Sequence, residues 1–169
     1  MEEFNTLEKV QNLFRSVNGI GNRNCYFICY RNTTKDAMKY GAFGAVGGAV
    51  GAIAAASTGI VNGMNGDSDG YLINYTENGL AIIPLDTTGV MLTLTPAKLK
   101  PNLNAYFFLR NEEIENVVVK KYNIFNSGTK KIIITTKNNQ KLNLIARVTE
   151  KLIPYQKENI TIFAETYKK

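Results

Sequence analysis

The sequence predicts an α+β fold that is mainly β, in the form of a small antiparallel barrel closed by a C-terminal helix. From residue 70 onward, short apolar runs recur between turn residues, which is typical of short antiparallel strands. After Pro154, the apolar residues follow a helical spacing instead. The length of 169 residues allows one compact domain with an appendage.

The chain opens with a predicted amphipathic helix, a unit of residues 1–20 ahead of a domain of residues 21–169. Five apolar side chains at spacings of three and four share one helical face: Phe4, Leu7, Val10, Phe14 and Val17. We expect this face to pack on the protein's own core. The alternative is insertion at a membrane interface, which three acidic residues against two basic ones disfavour.

Residues 25–31 alternate in a way that predicts a strand. Cys25 and Cys29 would share one face of it about 13 Å apart, too far for a disulfide bond. Two unpaired thiols suit a reducing compartment. The acidic start of the chain lacks the basic and apolar regions of an export signal, so we expect a cytoplasmic location.

A charge-free segment follows, within a predicted helical insertion at about residues 34–62. Of the 23 residues from 41 to 63, seven are Gly and seven are Ala. Small residues form one stripe of this predicted helix: Gly44, Gly48, Gly51, Ala55 and Gly59. Larger apolar residues form another: Phe43, Val46, Val50, Ile53 and Ile60. The pattern is typical of a glycine zipper, in which small side chains let a helix backbone approach a neighbour closely.

Three interpretations of this segment stay open. It is a close-packed helix of a soluble or oligomeric protein, a helix that enters or spans a membrane, or a flexible linker. In water, each Gly costs a helix about 1 kcal/mol relative to Ala. A helix here therefore needs a protein neighbour, an identical helix or lipid around it.

The β-rich part is built from predicted strands and one predicted helix. Strands are expected at 71–76 and 80–85, joined by a turn in which Gly79 takes a positive φ, and at 91–95, 105–109, 114–121 and 122–125. A last hairpin pairs KKIIITT with KLNLIA. The closing helix places four residues on one face: Ile160, Phe163, Ala164 and Tyr167.

The net charge of +6 is concentrated in the C-terminal part of the chain. Residues 1–97 hold six Lys/Arg and eight Asp/Glu, whereas residues 98–169 hold fourteen and six. Such a surface favours lipid headgroups, nucleic acid or acidic proteins, although a lysine-rich surface also serves solubility. The candidate anion-binding residues are Lys98, Lys100, Lys120, Lys121, Lys130 and Lys131.

Four stretches resemble bacterial pleckstrin-homology-like (PH-like) and GRAM-like domains. They are YLINYTENGLAIIPL, EEIENVVVKKYNIF, KKIIITTKNNQKLNLIA and IPYQKENITIFAETYKK. The resemblance covers about residues 70–169, with NCYFICYR as first strand and the Gly/Ala segment as an insertion before the second. The resemblance implies that the chain is a binding module. Members that bind phosphoinositides use basic residues of the loop between the first two strands, where this chain has only Lys35 and Lys39.

The amino-acid composition argues against several classes of function. Without His, the chain has no His-based triad, His metal site or His general base, and no activating partner for its thiols is apparent. We expect no catalytic residue, metal or cofactor. Nucleic-acid binding is disfavoured, because the aromatic residues that would stack on bases are expected in the core: Tyr106, Phe107, Phe108, Tyr122 and Phe125.

The sequence therefore predicts a non-enzymatic PH-like binding module at the inner face of the membrane. The Gly/Ala-rich helix would associate with the membrane, and the basic barrel surface would face anionic lipid. The alternative is a soluble protein-interaction or scaffold module, in which the glycine-zipper helix packs on its own barrel or on a second copy.

Overall fold

The computed structural model describes residues 3–32, 68–87, 95–122 and 128–167. These ranges contain two helices and eight strands, in agreement with the predicted α+β, mainly β class. In chain order they are α1 (Leu7–Ser16), β1 (Cys25–Arg31), β2 (Gly70–Thr76), β3 (Gly79–Thr87), β4 (Leu99–Pro101), β5 (Phe107–Arg110), β6 (Ile114–Lys121), β7 (Thr129–Thr136), β8 (Lys141–Arg147) and α2 (Gln156–Thr166).

All the strands belong to one antiparallel sheet with the order β4-β3-β2-β1-β8-β7-β6, in which β5 also pairs with β3. Among the described residues no pairing joins β6 to β4 or β5, so the sheet is open. The predicted closed barrel is wrong in this respect. A 3-10 turn, Asn111–Glu113, carries the chain from β5 to β6, and the two strands pair with different neighbours.

One face of the sheet, here called the inner face, carries the larger hydrophobic core. α2 lies on it and buries Ile160 and Phe163, as its predicted apolar face requires. The Phe163 ring packs on Phe27 of β1 with ring centroids 4.7 Å apart. Side chains from every strand except β4 enter this core.

The opposite, outer face carries a second core over β1, β2 and β3. α1 lies there with Val10 and Phe14 buried, and the connection before α2 adds Ile153 and Tyr155. The predicted packing of the N-terminal segment on the protein's own core is therefore confirmed for Phe4, Val10 and Phe14, whereas Leu7 is exposed, with 47% of its surface accessible. The helix begins later than predicted, because the Thr6 hydroxyl accepts a hydrogen bond from the Lys9 backbone N–H and caps it.

Most predicted strands are confirmed, including the two hairpins. Gly79 has the expected positive φ, of 147°, and a Cβ there would collide with the Leu109 carbonyl. The strand predicted at 105–109 begins only at Phe107, since a 3-10 turn occupies Leu103–Ala105. Those predicted at 91–95 and 122–125 lie largely outside the described residues, as does the Gly/Ala insertion.

The side chain of Gln156 fills a gap between β1 and β8. These strands pair only at Tyr30 and Arg31. Farther along, the Gln156 Oε1 accepts from the Ile28 N–H at 2.9 Å, and its Nε2 donates to the carbonyls of Ile28 and Arg147 at 2.9 and 2.8 Å. One fully buried amide thus supplies hydrogen bonds where the two strands separate.

The loop of residues 18–24 is fixed to the β2–β3 hairpin by two polar side chains. The buried Asn74 accepts from the Cys25 N–H at 3.0 Å and donates to the Gly19 carbonyl at 2.8 Å. The Glu77 carboxylate accepts from the backbone N–H groups of Asn22 and Arg23 at 2.8 and 2.9 Å. These hydrogen bonds lower the pKa of Glu77, and the bond from the Arg23 N–H has the largest effect.

Candidate anionic-ligand surface

The β6–β7 pairing brings together four of the six candidate lysines. Lys120 lies opposite Lys131, and Lys121 lies opposite Lys130, in two adjacent cross-strand pairs. Residues directly opposite each other in an antiparallel pair have Cβ atoms about 4.5–5.5 Å apart. The four lysines therefore occupy neighbouring positions at one end of these strands, and we call them the lysine cluster.

The two pairs of the lysine cluster leave the strands on opposite faces. Along β7, Ile132 and Ile134 enter the inner core. Because successive side chains of a strand alternate between its faces, Lys131 and Ile133 face outward. Lys120 shares the outer face with Lys131. Lys121 and Lys130 have the inner-face parity, and Lys130 lies opposite Ala146, a buried residue of the inner core.

No carboxylate neutralises the lysine cluster within the described ranges. In these ranges, Arg110 and Arg147 form ion pairs with glutamates, but none of the four lysines of the cluster does. Like charges placed directly opposite on two strands are destabilising. The cluster is therefore an uncompensated positive site, suited to an anionic partner.

The two remaining candidate lysines lie elsewhere. Lys98 belongs to a 3-10 turn and Lys100 to β4, at the other end of the strand order from β6. In register, Lys100 faces Asp86 of β3. The six lysines of the sequence prediction are thus divided into a cluster of four and a separate pair.

Beside the lysine cluster, the outer face carries three apolar residues that the site prediction did not include. Val118 lies opposite Ile133, and Ile145 lies opposite Lys131. All three side chains are partly exposed, and we call Val118, Ile133 and Ile145 the apolar row. For Val118 and Ile133 the signal was present in the runs of three Val and three Ile, since a strand must turn the middle residue of each run away from the other two.

The aromatic residues considered for base stacking occupy core positions where the structure describes them well. Phe107 is buried in the inner core, and Tyr106 and Phe108 pack against the outer core. Tyr122 is partly exposed, and Phe125 lies outside the described residues. Tyr106, Phe107 and Phe108 thus fit the predicted structural role.

The two thiols are free and buried on the inner face, as the spacing predicted. The Cys25 Sγ donates to the Asn159 carbonyl at 2.9 Å, and burial raises the pKa of Cys25 to about 12. Burial also raises the pKa of Cys29. Because the thiolate is the nucleophile, neither group is activated at neutral pH.

The described part of the chain contains no group of three or more Cys, Asp or Glu side chains arranged to hold a metal ion. Among its helices, none has the length and apolar character needed to cross a membrane. Both stripes of the predicted glycine zipper lie outside the described residues.

Comparisons of the chain with family models, with curated proteins and with solved structures found no match.

Proposed function

We propose that the chain is a non-enzymatic binding module of PH-like architecture that attaches to the anionic inner face of a membrane. The lysine cluster contacts the headgroups. The Gly/Ala-rich insertion at about residues 34–62 adds a membrane-associated helix.

The strand order supports the PH-like architecture. Strands that follow one another in the chain pair with each other, except that β4 and β5 both pair with β3 and that β5 and β6 do not pair; β8 returns to pair with β1. The C-terminal helix then lies against the inner face of this meander. A meander of antiparallel strands followed by a closing helix is what the resemblance implies.

The lysine cluster is the observation that carries the binding proposal. A surface that only keeps a protein soluble intersperses charges of both signs. Here four lysines form two like-charged cross-strand pairs, and no described carboxylate pairs with them. An anionic surface relieves this repulsion, and it contributes about 1 kcal/mol per lysine near the headgroups.

Vesicle co-sedimentation of the full chain tests the proposal. We expect binding to vesicles that contain phosphatidylserine, weak binding to phosphatidylcholine alone, and a loss of binding at high salt. The double variant Lys120→Glu/Lys131→Glu removes about 2 kcal/mol of attraction, so its affinity should fall by about 30-fold or more.

Lys98→Glu/Lys137→Glu is the matched control, because it makes the same change in net charge at two exposed residues outside the cluster. Equal losses for the two double variants would show an effect of net charge and would contradict a site. Binding of the unmodified chain to a single-stranded oligonucleotide but to no vesicle would reassign the surface to nucleic acid.

One observation favours the soluble interaction module as a second candidate. Asn32 is the last described residue before the Gly/Ala-rich segment, and its backbone N–H donates to the Asn143 carbonyl of β8 at 3.2 Å. The chain therefore leaves the sheet next to the apolar row. Under this candidate, the segment packs on its own sheet or on a second copy, and the membrane is not involved.

Gly48→Leu tests this second candidate. Where a Gly faces a closely packed neighbour, the larger side chain should cost about 1–3 kcal/mol and lower the melting temperature or the oligomer size. Ala56→Leu, outside the small-residue stripe, is the control. An unchanged melting temperature and oligomer size in Gly48→Leu would contradict packing of the stripe on protein.

A further inference from the structure

The two faces of the sheet are covered unequally. The inner face packs against α2, and the outer face of β1, β2 and β3 packs against α1 and the connection before α2. In the outer core, no residue comes from β6, β7 or β8. The outward-facing side chains of these three strands thus belong to neither core of the described structure.

This outer face combines apolar and basic side chains. Each of the three strands contributes one residue of the apolar row: Val118 and Ile133 lie opposite each other, with Asn143 of β8 next to Ile133, and Ile145 lies beside Lys131, which is opposite Lys120. Lys141 and Arg147 lie at the two ends of β8 with the same parity, Arg147 being paired with Glu150 at 3.2 Å. The acidic residue of these strands, Glu115, lies at the bulge near the start of β6, away from the cluster.

A membrane interface matches this combination. Branched apolar side chains gain from transfer into the boundary between headgroups and acyl chains, while the lysine stems stay in apolar contact and their ammonium groups remain at the headgroups. Two copies brought together through this face would instead oppose their own lysines. The charge therefore favours anionic lipid as the occupant.

We propose that the outer face of β6, β7 and β8 lies against the membrane, with the apolar row at the interface and Lys120 and Lys131 on anionic headgroups. α2, on the opposite face of these strands, is then directed away from the bilayer. This orientation rests on the proposed membrane-binding function and adds to it the contact face.

Tryptophan fluorescence tests the orientation, because the chain contains no Trp and a single substitution gives one reporter. In Ile133→Trp and in Val118→Trp, vesicles of phosphatidylcholine with phosphatidylserine should shift the emission to the blue. Brominated acyl chains should quench it. Ile162→Trp is the matched control, since Ile162 is an exposed residue of α2, with 46% of its surface accessible; its emission should not change.

A polar substitution gives an independent readout. Ile133→Thr keeps a β-branched side chain and should weaken vesicle binding roughly fivefold, whereas Ile162→Thr should leave binding unchanged. Retained melting temperatures show that the variants are folded.

The possible failures can be told apart. Binding to vesicles with no spectral change in Ile133→Trp and Val118→Trp, or with a change in Ile162→Trp, would overturn the orientation and leave the proposed function intact. Failure of the unmodified chain to bind any phosphatidylserine vesicle would overturn both.

Discussion

The β1–β3 region and the β6–β8 region belong to one sheet but differ in what covers them. In β1, six consecutive residues from Cys25 to Tyr30 are buried, because helices or loops pack on both faces. In β7 and β8, buried and partly exposed residues alternate, because only the inner face is covered by a described element. Apolar side chains on the outer face of β6–β8 therefore contribute little to the described core.

A matched pair of substitutions tests this comparison with the largest expected effect. Ile28→Ala removes a fully buried side chain of the outer core and should lower the free energy of unfolding by about 2–5 kcal/mol. Ile133→Ala makes the same change at a partly exposed outward position and should cost less than about 1.5 kcal/mol. Chemical denaturation measures both values, and equal losses would contradict the difference between the regions.

The junction of the two regions gives the next prediction. Gln156→Ala leaves the N–H and carbonyl of Ile28 and the carbonyl of Arg147 without this partner, which should cost about 2–4 kcal/mol. Thr161→Ala changes an exposed residue of the same helix and should stay within about 0.5 kcal/mol. A Gln156→Ala variant as stable as the control would show that the amide does not join β1 to β8.

The smallest effect concerns Glu77. Its pKa is lowered in the folded protein, so its contribution to stability is complete above the unfolded value of about 4.3 and disappears as the pH falls through the folded value. In NMR spectra, the amide signals of Asn22 and Arg23 should titrate with a midpoint below about 4.3. Glu77→Gln should abolish that transition, and a midpoint above 4.3 would contradict the contact.

Local pattern was sufficient for much of the fold and less so for the site. Alternation and turn residues located both hairpins, and helical spacing located Ile160 and Phe163 on the buried face of α2. Whether the sheet closes depends on which strands pair, and spacing along the chain does not determine that. The lysine cluster likewise depends on register, because a shift of one residue between β6 and β7 would separate Lys120 from Lys131.

Gln156 shows a second limit of sequence pattern. A glutamine at the start of an amphipathic helix is normally solvated, and nothing local indicates that it bonds to strands β1 and β8. Its role follows from a gap between strands that come from the two ends of the chain. Such long-range hydrogen bonds become visible only when the strand order is known.

Backbone amide shift mapping of the full chain, titrated with nanodiscs that contain phosphatidylserine, tests the proposed membrane-facing role of the β6–β8 region most directly. The largest perturbations should fall on Val118, Lys120, Lys131 and Ile133, while the amides of Tyr26 and Ile28 stay unchanged. Perturbations centred on α1 or β1–β3, or none at all, would contradict it.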